Sequence, residues 1–555
     1  MAGRTLRWLL ALALSVATAL VVVLALAGTT PSELLAEVGR DPDPPVVFTL
    51  DLEGNAGTIS PGVYGVAAAP QEVLRSLNAS LHRWGGNTAS RYNWEAGNVW
   101  NVGRDWYFEN QKVEDDAWRV FLAQTLETQA QAVLTIPLIG YVAKDAESVG
   151  FSVAKYGPQQ KVDPYNPDAG NGVRKDGEPV TGNDPADTSI EAGPEFMRGW
   201  IAAIRRRFPK ALSEGRIGFA LDNEPMLWNV THRDVHPDPV SYREYLNRFV
   251  AMATVIRTEA PNAPIIGPEL WGWPAYFESA LDRESDGTPD RERHGGTAFL
   301  PWFLGELKDH EDRTGTRLID VVSVHYYPQA KGVFDGDLSA GTCRNRIHAP
   351  RSLADPEYLA PSWIGDRVRL IPRLREWVAE RYPGLDVAVT EYNWGAEDHI
   401  SGALAVASAL GIFGAEGVRM AAYWQHPRAG SPAHAAFSMF TNVDGQGNGF
   451  GTVRVPASRH HARRARDTDV ALYAARTPAP EPVLTVIALN RTAVDKPVGL
   501  RTKNGRIAGL KEGFRLSTSA DGIESYEPTL QKREDGLFFR LQGLSIVHLR
   551  FAVVL

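Results

Sequence analysis

The chain of 555 residues is longer than one hydrophobic core usually serves, so two or more domains are expected. Its 44% hydrophobic and 22% charged residues describe an ordinary globular protein, not a disordered or fibrous one. A net charge of -8 disfavours nucleic acid as a partner, and the single cysteine excludes an intramolecular disulfide and a thiolate metal cage.

Arg4 and Arg7 precede an apolar run from Trp8 to Ala27, and no acid appears before Glu33. Ala25-Leu26-Ala27 offers a small-residue cleavage site, yet the run is also long enough, at about 20 residues, to cross a bilayer. Residues 1–28 therefore read as a signal peptide or a membrane anchor through 8–27, and 29–45 as a polar linker. Either way the working part is exported, secreted or held at the cell envelope.

Beyond the linker, short apolar runs alternate with helical patterns. Eight such runs are Gly62–Val66, Leu81–Gly85, Ala132–Gly140, Ile217–Asn223, Pro264–Leu270, Val321–Tyr327, Asp386–Thr390 and Met420–Gln425. Phe196, Met197, Trp200, Ile201, Ile204 and Phe208 recur at helical spacing before the fourth run. This is the pattern of a (β/α)8 TIM barrel, here expected over 60–435. The insertion 151–192 follows the third run, where it would form a cleft wall or a solvated loop. Its acids (Asp163, Asp168, Asp176, Asp184 and Asp187) leave room for a structural calcium, although no EF-hand spacing is present.

After about residue 435 the runs shorten and alternate without helices: Val470–Ala474, Leu484–Leu489, Val498–Thr502, Phe514–Ser517, Leu537–Leu541 and Ile546–Val553. An antiparallel β-sandwich is expected from 436–555 plus 46–59, with Val46–Leu52 as a joining strand. The basic stretch from Arg459 to Arg466 reads as a solvated loop.

The fourth run ends Leu221-Asp222-Asn223-Glu224-Pro225 and the seventh ends Val389-Thr390-Glu391-Tyr392-Asn393-Trp394. Each delivers a glutamate to the strand C-terminus, where barrel enzymes keep their chemistry. Two facing carboxylates are the equipment of glycoside hydrolysis, with Glu224 as acid/base and Glu391 as nucleophile. Such chemistry requires no cofactor and no catalytic metal. Alternation would send Asn223 and Glu224 to opposite faces unless the ladder stops there, as Pro225 encourages. Asn223 is a candidate for the sugar 2-hydroxyl, Arg83 for pairing with Glu391, and His325 and Tyr327 for orienting groups. Of the 15 tryptophans, Trp94, Trp228, Trp394 and Trp424 are candidate sugar platforms, with core packing as the rival role.

These segments resemble glycoside hydrolase family 44, a bacterial family of endo-β-1,4-glucanases and xyloglucanases. The matching stretches are Arg83-Trp84-Gly85-Gly86-Asn87, Arg91-Tyr92-Asn93-Trp94-Glu95, Asp105-Trp106-Tyr107, Ile139 to Asp145, Lys155 to Gln159, Leu221 to Trp228, His325 to Gln329 and Thr390 to Trp394. The resemblance implies a barrel with a β-sandwich, retention of configuration, and an endo-acting cleft for a β-1,4-glucan. Xyloglucan is the alternative substrate. The rival from another class is a non-catalytic, envelope-bound polysaccharide-binding protein.

Overall fold

The computed structural model describes residues 44–555 except 55–56, 285–286, 460–468, 479 and 520–521. The signal or anchor segment, most of the linker and most of the basic stretch lie outside the described residues. Among the described residues no helix is long and apolar enough to cross a membrane.

Eight parallel strands close into a barrel in chain order: Gly65–Ala67, Leu81–Trp84, Gln131–Ile136, Ile217–Leu221, Ile265–Leu270, Val321–Tyr326, Asp386–Tyr392 and Met420–Tyr423. The first is shorter than the sequence suggests, because Pro61 starts a 3-10 turn over Pro61–Val63. The third stops at Ile136, four residues before the expected end. Helices ring the barrel. In Pro194–Arg207, Met197, Trp200, Ile201 and Ile204 form one buried face at the 3.6-residue period. Tyr242–Glu259 begins where the Ser241 hydroxyl accepts from the Glu244 amide, satisfying one orphan donor of the first turn.

Two further sheets form the sandwich. It is not wholly antiparallel. Val46–Asp51 lies between Ala457–Arg459, antiparallel, and Lys496–Lys503, to which it runs parallel. The second sheet is antiparallel and is centred on Val483–Asn490 and Ser545–Val554. Val483–Asn490 is buried on both faces, because its alternate residues serve two cores. Leu484, Val486 and Ala488 pack into the sandwich interior, whereas Ile487 and Leu489 join the barrel core.

On the barrel side lies the helix Ile400–Glu416, where the Tyr473 ring covers Gly411 and its hydroxyl donates to the Ser408 carbonyl at 3.2 Å. A Cβ on Gly411 would lie 2.3 Å from a ring carbon of Tyr473. Gly411→Leu should therefore force the two bodies apart and destabilise the protein by about 1–3 kcal/mol. A thermal-unfolding midpoint equal to that of the wild type would contradict this packing.

Candidate active site

Inside the barrel the inward-facing rows change character along their length. Leu81, Val133, Ala220, Ile266, Val321, Ala388, Met420 and Ala422 form an apolar plug. Two residues further toward the C-terminal ends, the same rows present Arg83, Thr135, Asp222, Ser323 and Thr390, all buried, and two beyond Ser323 comes His325. Alternation alone thus builds a polar layer on an apolar floor.

Three carboxylates enter that layer through irregular backbone. On the fifth strand the register slips between Pro268 and Leu270, and Glu269 adopts φ +54°, which turns its side chain inward. On the seventh strand, register shifts around Val389 and Tyr392 let consecutive residues, Thr390 and Glu391, both reach the interior. The fourth strand ends at Leu221, and Asp222 (φ +66°) and Glu224 (φ +47°) reverse the chain in left-handed conformations that cost a non-glycine residue about 1–2 kcal/mol each. The buried Asp222 carboxylate holds this turn. It accepts from the amides of Leu138 (2.5 Å), Ile139 (3.1 Å) and Asn223 (2.7 Å) and from the Trp228 indole (3.2 Å).

Arg83 binds the layer together. Its guanidinium donates to Glu391 at 2.7 Å, Glu269 at 2.8 Å and Asn223 Oδ1 at 2.9 Å. Glu269 also accepts from Ser323 and, at 3.0 Å, from Thr390. Burial opposes its charge, but Arg83, His325 and Ser323 outweigh that and hold the carboxyl at about 2, so it is ionised. His325 touches all three acids: Nδ1 lies 2.8 Å from Glu224 and 3.4 Å from Glu391, and Nε2 lies 3.2 Å from Glu269. Burial pushes the ring down, yet Glu391, Glu224 and Glu269 raise it to about 9, making it an imidazolium at neutral pH.

Burial raises the Glu224 proton affinity and the Glu391 charge adds to it, overcoming His325. Glu391 accepts from Tyr327 at 2.8 Å in addition to Arg83. Arg83 and His325 thus face three carboxyls, of which Glu224 is the one pushed toward its protonated form. Oxygens of Glu224 and Glu391 and a nitrogen of His325 lie within 4.8 Å of one another, a spacing that would also suit a metal. A protonated His325 would compete with a cation for this set.

A cavity of about 570 Å³ opens above the layer, bordered by Asn87, Asn223, Glu224, Tyr327, Glu391 and Trp424. Trp424 is a half-buried wall, and a Cβ on Gly86 would lie 2.5 Å from its ring. Trp228 and Trp394 are corrected: both are fully buried. The Trp228 ring packs beside His236 and Tyr245, and Trp394 lies beside Tyr326 and Tyr392. Trp94 is also corrected. Its indole donates to the Phe196 carbonyl at 3.1 Å and its ring covers Gly199 on the helix Pro194–Arg207, and it does not line the cavity.

Sequence reasoning missed Glu269 and the turn-holding role of Asp222. Within the insertion, Asp168, Asp176 and Asp184 accept from amides in their own loops, and Asp187 is taken by Lys155 and Tyr156. Asp163 is buried and lies against Glu109, whose carboxyl is pushed up to about 7 by burial and by Asp163.

A (β/α)8 barrel with two close, unequal carboxylates at the ends of its fourth and seventh strands has the architecture of a glycoside hydrolase. The model of glycoside hydrolase family 44 matches residues 99–330. Endoglucanase A of Paenibacillus lautus is 32% identical over 479 residues, covering 82% of this chain and 64% of that protein. The β-mannanase/endoglucanase A of Caldicellulosiruptor saccharolyticus is 31% identical over 485 residues, 80% of this chain and 34% of its own length. This chain thus spans less than two thirds of either relative. The crystal structure of CelM2, a bifunctional glucanase-xylanase from a metagenome library, superposes with a TM-score of 0.86 at 37% identity, covering 93% of this chain and all (100%) of that one. The chain belongs to glycoside hydrolase family 44.

The His325 proton gives a test of the ion network. Because its folded value of about 9 exceeds the ordinary 6.5, its stabilisation is complete below pH 6.5 and lost as pH rises through 9. Urea unfolding between pH 6.5 and 9.5 should therefore show a larger stability loss for the wild type than for His325→Gln. Equal losses would mean that the ring is neutral in the fold.

Proposed function

We propose that the protein is an exported, retaining endo-β-1,4-glucanase in which Glu224 is the acid/base and Glu391 the nucleophile. The observation that carries this reading is the closeness of the two carboxylates, an oxygen of each lying within 4.8 Å of the other, together with the raised proton affinity of Glu224. Retaining enzymes hold this pair at about 5–5.5 Å, whereas inverting ones need about 6.5–9.5 Å to admit water between them.

Glu391 attacks the anomeric carbon while Glu224 protonates the departing oxygen. Esterification of Glu391 removes the charge that raised Glu224, and the adjacent imidazolium of His325 then favours its ionised form. Glu224 can now take the proton of the incoming water. Tyr327 fixes the second oxygen of Glu391, and Asn223, held by Arg83, is placed for the sugar 2-hydroxyl. A soluble β-1,4-glucan suits this site, with xyloglucan as the alternative. The glucanase names of the relatives support the backbone assignment. The non-catalytic reading is disfavoured, since binding alone gives no reason to bury the Arg83–Glu269–His325 charges. The chemistry uses no cofactor. For a structural calcium, the candidate pair is Asp163 of the insertion with Glu109, which it meets from outside the insertion.

Proton NMR of early hydrolysate should show the β-anomer first, and α first would eliminate the close-pair mechanism. Glu224→Gln should lose about 10²–10⁴-fold on glucan yet keep much more activity on aryl glycosides whose leaving groups need no proton. Equal losses on both would remove the acid assignment. Glu391→Ala should be inactive on both. EDTA should lower the melting temperature if calcium joins Asp163 to Glu109, and an unchanged melt would rule the calcium out.

A further inference from the structure

Beside the catalytic cavity is a second one, of about 530 Å³, which shares Asp105 with it and is walled by Arg104, Trp106, Lys161, Asn229 and Arg233. It lies between the 3-10 segment Gly103–Trp106, the insertion, and the short helix that follows Glu224. Three cations face one carboxylate in a protein of net charge -8. That carboxylate is engaged, since Asp105 accepts from Asn87 at 3.0 Å.

Arg233 is built in. Its guanidinium lies 4.3 Å from the Phe151 ring centre and 5.4 Å from that of Phe108, and it donates to the carbonyls of Val180 (3.1 Å), Asn171 (3.4 Å) and Gly172. Gly172, at φ +71°, makes room for it, because a Cβ there would lie 2.0 Å from Nη2. Its sequence neighbour Asp234 is taken by Arg91 at 3.1 Å. Burial lowers the Arg233 proton affinity, Asp234 opposes this, and the charge of Arg104 lowers it further, so the two arginines sense each other. Among the described residues, neither Arg104 nor Lys161 makes an ion pair, and Trp106 is 40% exposed beside them.

Arg104 and Lys161, set together around an open indole with no ion pair among the described residues, suit an anionic sugar. The ring face would stack on the indole while the carboxylate meets Arg104 and Lys161. We propose that this cavity is a subsite for a carboxylate-bearing sugar unit, such as a hexuronic acid or carboxymethylated glucose, on the polysaccharide whose backbone crosses Glu224 and Glu391. The inference rests on the glycosidase reading, and its test separates the two.

Carboxymethyl cellulose and its carboxyl-reduced derivative share a backbone and a substitution pattern and differ in charge. At low salt the wild type should favour the charged polymer in kcat/KM, through KM. Arg104→Ala/Lys161→Ala should erase about fivefold of that preference, which is roughly 1 kcal/mol for the two exposed ion pairs together, and should leave the reduced polymer unaffected. Free glucuronate should compete better than acetate, and Trp106→Ala should remove that advantage, whereas equal competition would reduce the cavity to an unspecific anion patch and overturn the proposal. So would the same polymer ratio in the wild type and the double variant. Affinity electrophoresis through gels containing either polymer reads the subsite without catalysis. Charge-dependent retardation lost in the double variant supports the subsite even if no bond is cleaved, an outcome that would refute the glycosidase reading alone, and equal retardation of wild type and variant refutes the subsite.

Discussion

One buried guanidinium holds the site together. Arg83 is fully inaccessible, yet it reaches partners on the fourth, fifth and seventh strands. Taking such a charge from water costs several kcal/mol, recovered only when every partner is in place, and removing one partner typically costs about 3–5 kcal/mol. The acids around it are therefore interdependent. Gly85 makes the arrangement sterically feasible, because a Cβ at that position would lie 2.2 Å from Arg83 Nη1.

The reactive geometry comes from departures from regular strand structure. A regular ladder sends neighbours to opposite faces, so an ideal barrel could not turn both Thr390 and Glu391 to its interior, or bring Asn223 and Glu224 to one cavity. Slipped registers and left-handed residues do so, and the amide and indole hydrogen bonds to Asp222 offset the conformational cost on the fourth strand.

This division explains what was legible in the sequence. The barrel is written in eight apolar runs, and Glu224 and Glu391 stand out as acids at the ends of two of them. Glu269 stands at the end of another, in Ile265–Leu270, but parity with the inward-facing Ile266 assigns it outward, and a slipped register leaves no periodic trace. The tryptophans were legible as strand-end residues but not as platforms. Trp228 and Trp424 occupy similar places in the pattern, yet one ring turns into the core and the other walls the cleft, a choice made by tertiary neighbours such as Tyr245 and Gly86. Arg233 carries no sequence signal, since its setting is two phenylalanines and a glycine from distant segments.

The position of Val46–Asp51 bears on how the chain is assembled. It is among the first of the described segments to be synthesised, but its parallel partner is Lys496–Lys503, and its other neighbour is Ala457–Arg459. More than 400 residues must emerge before either edge of that strand can be paired, and the whole barrel lies in between. The eight strands and their helices can collapse early on nearby contacts, while the leading strand waits with unsatisfied amides for the tail to arrive. Closure of this sheet is thereby a late, long-range event in biogenesis, and it joins segments made before and after the whole barrel.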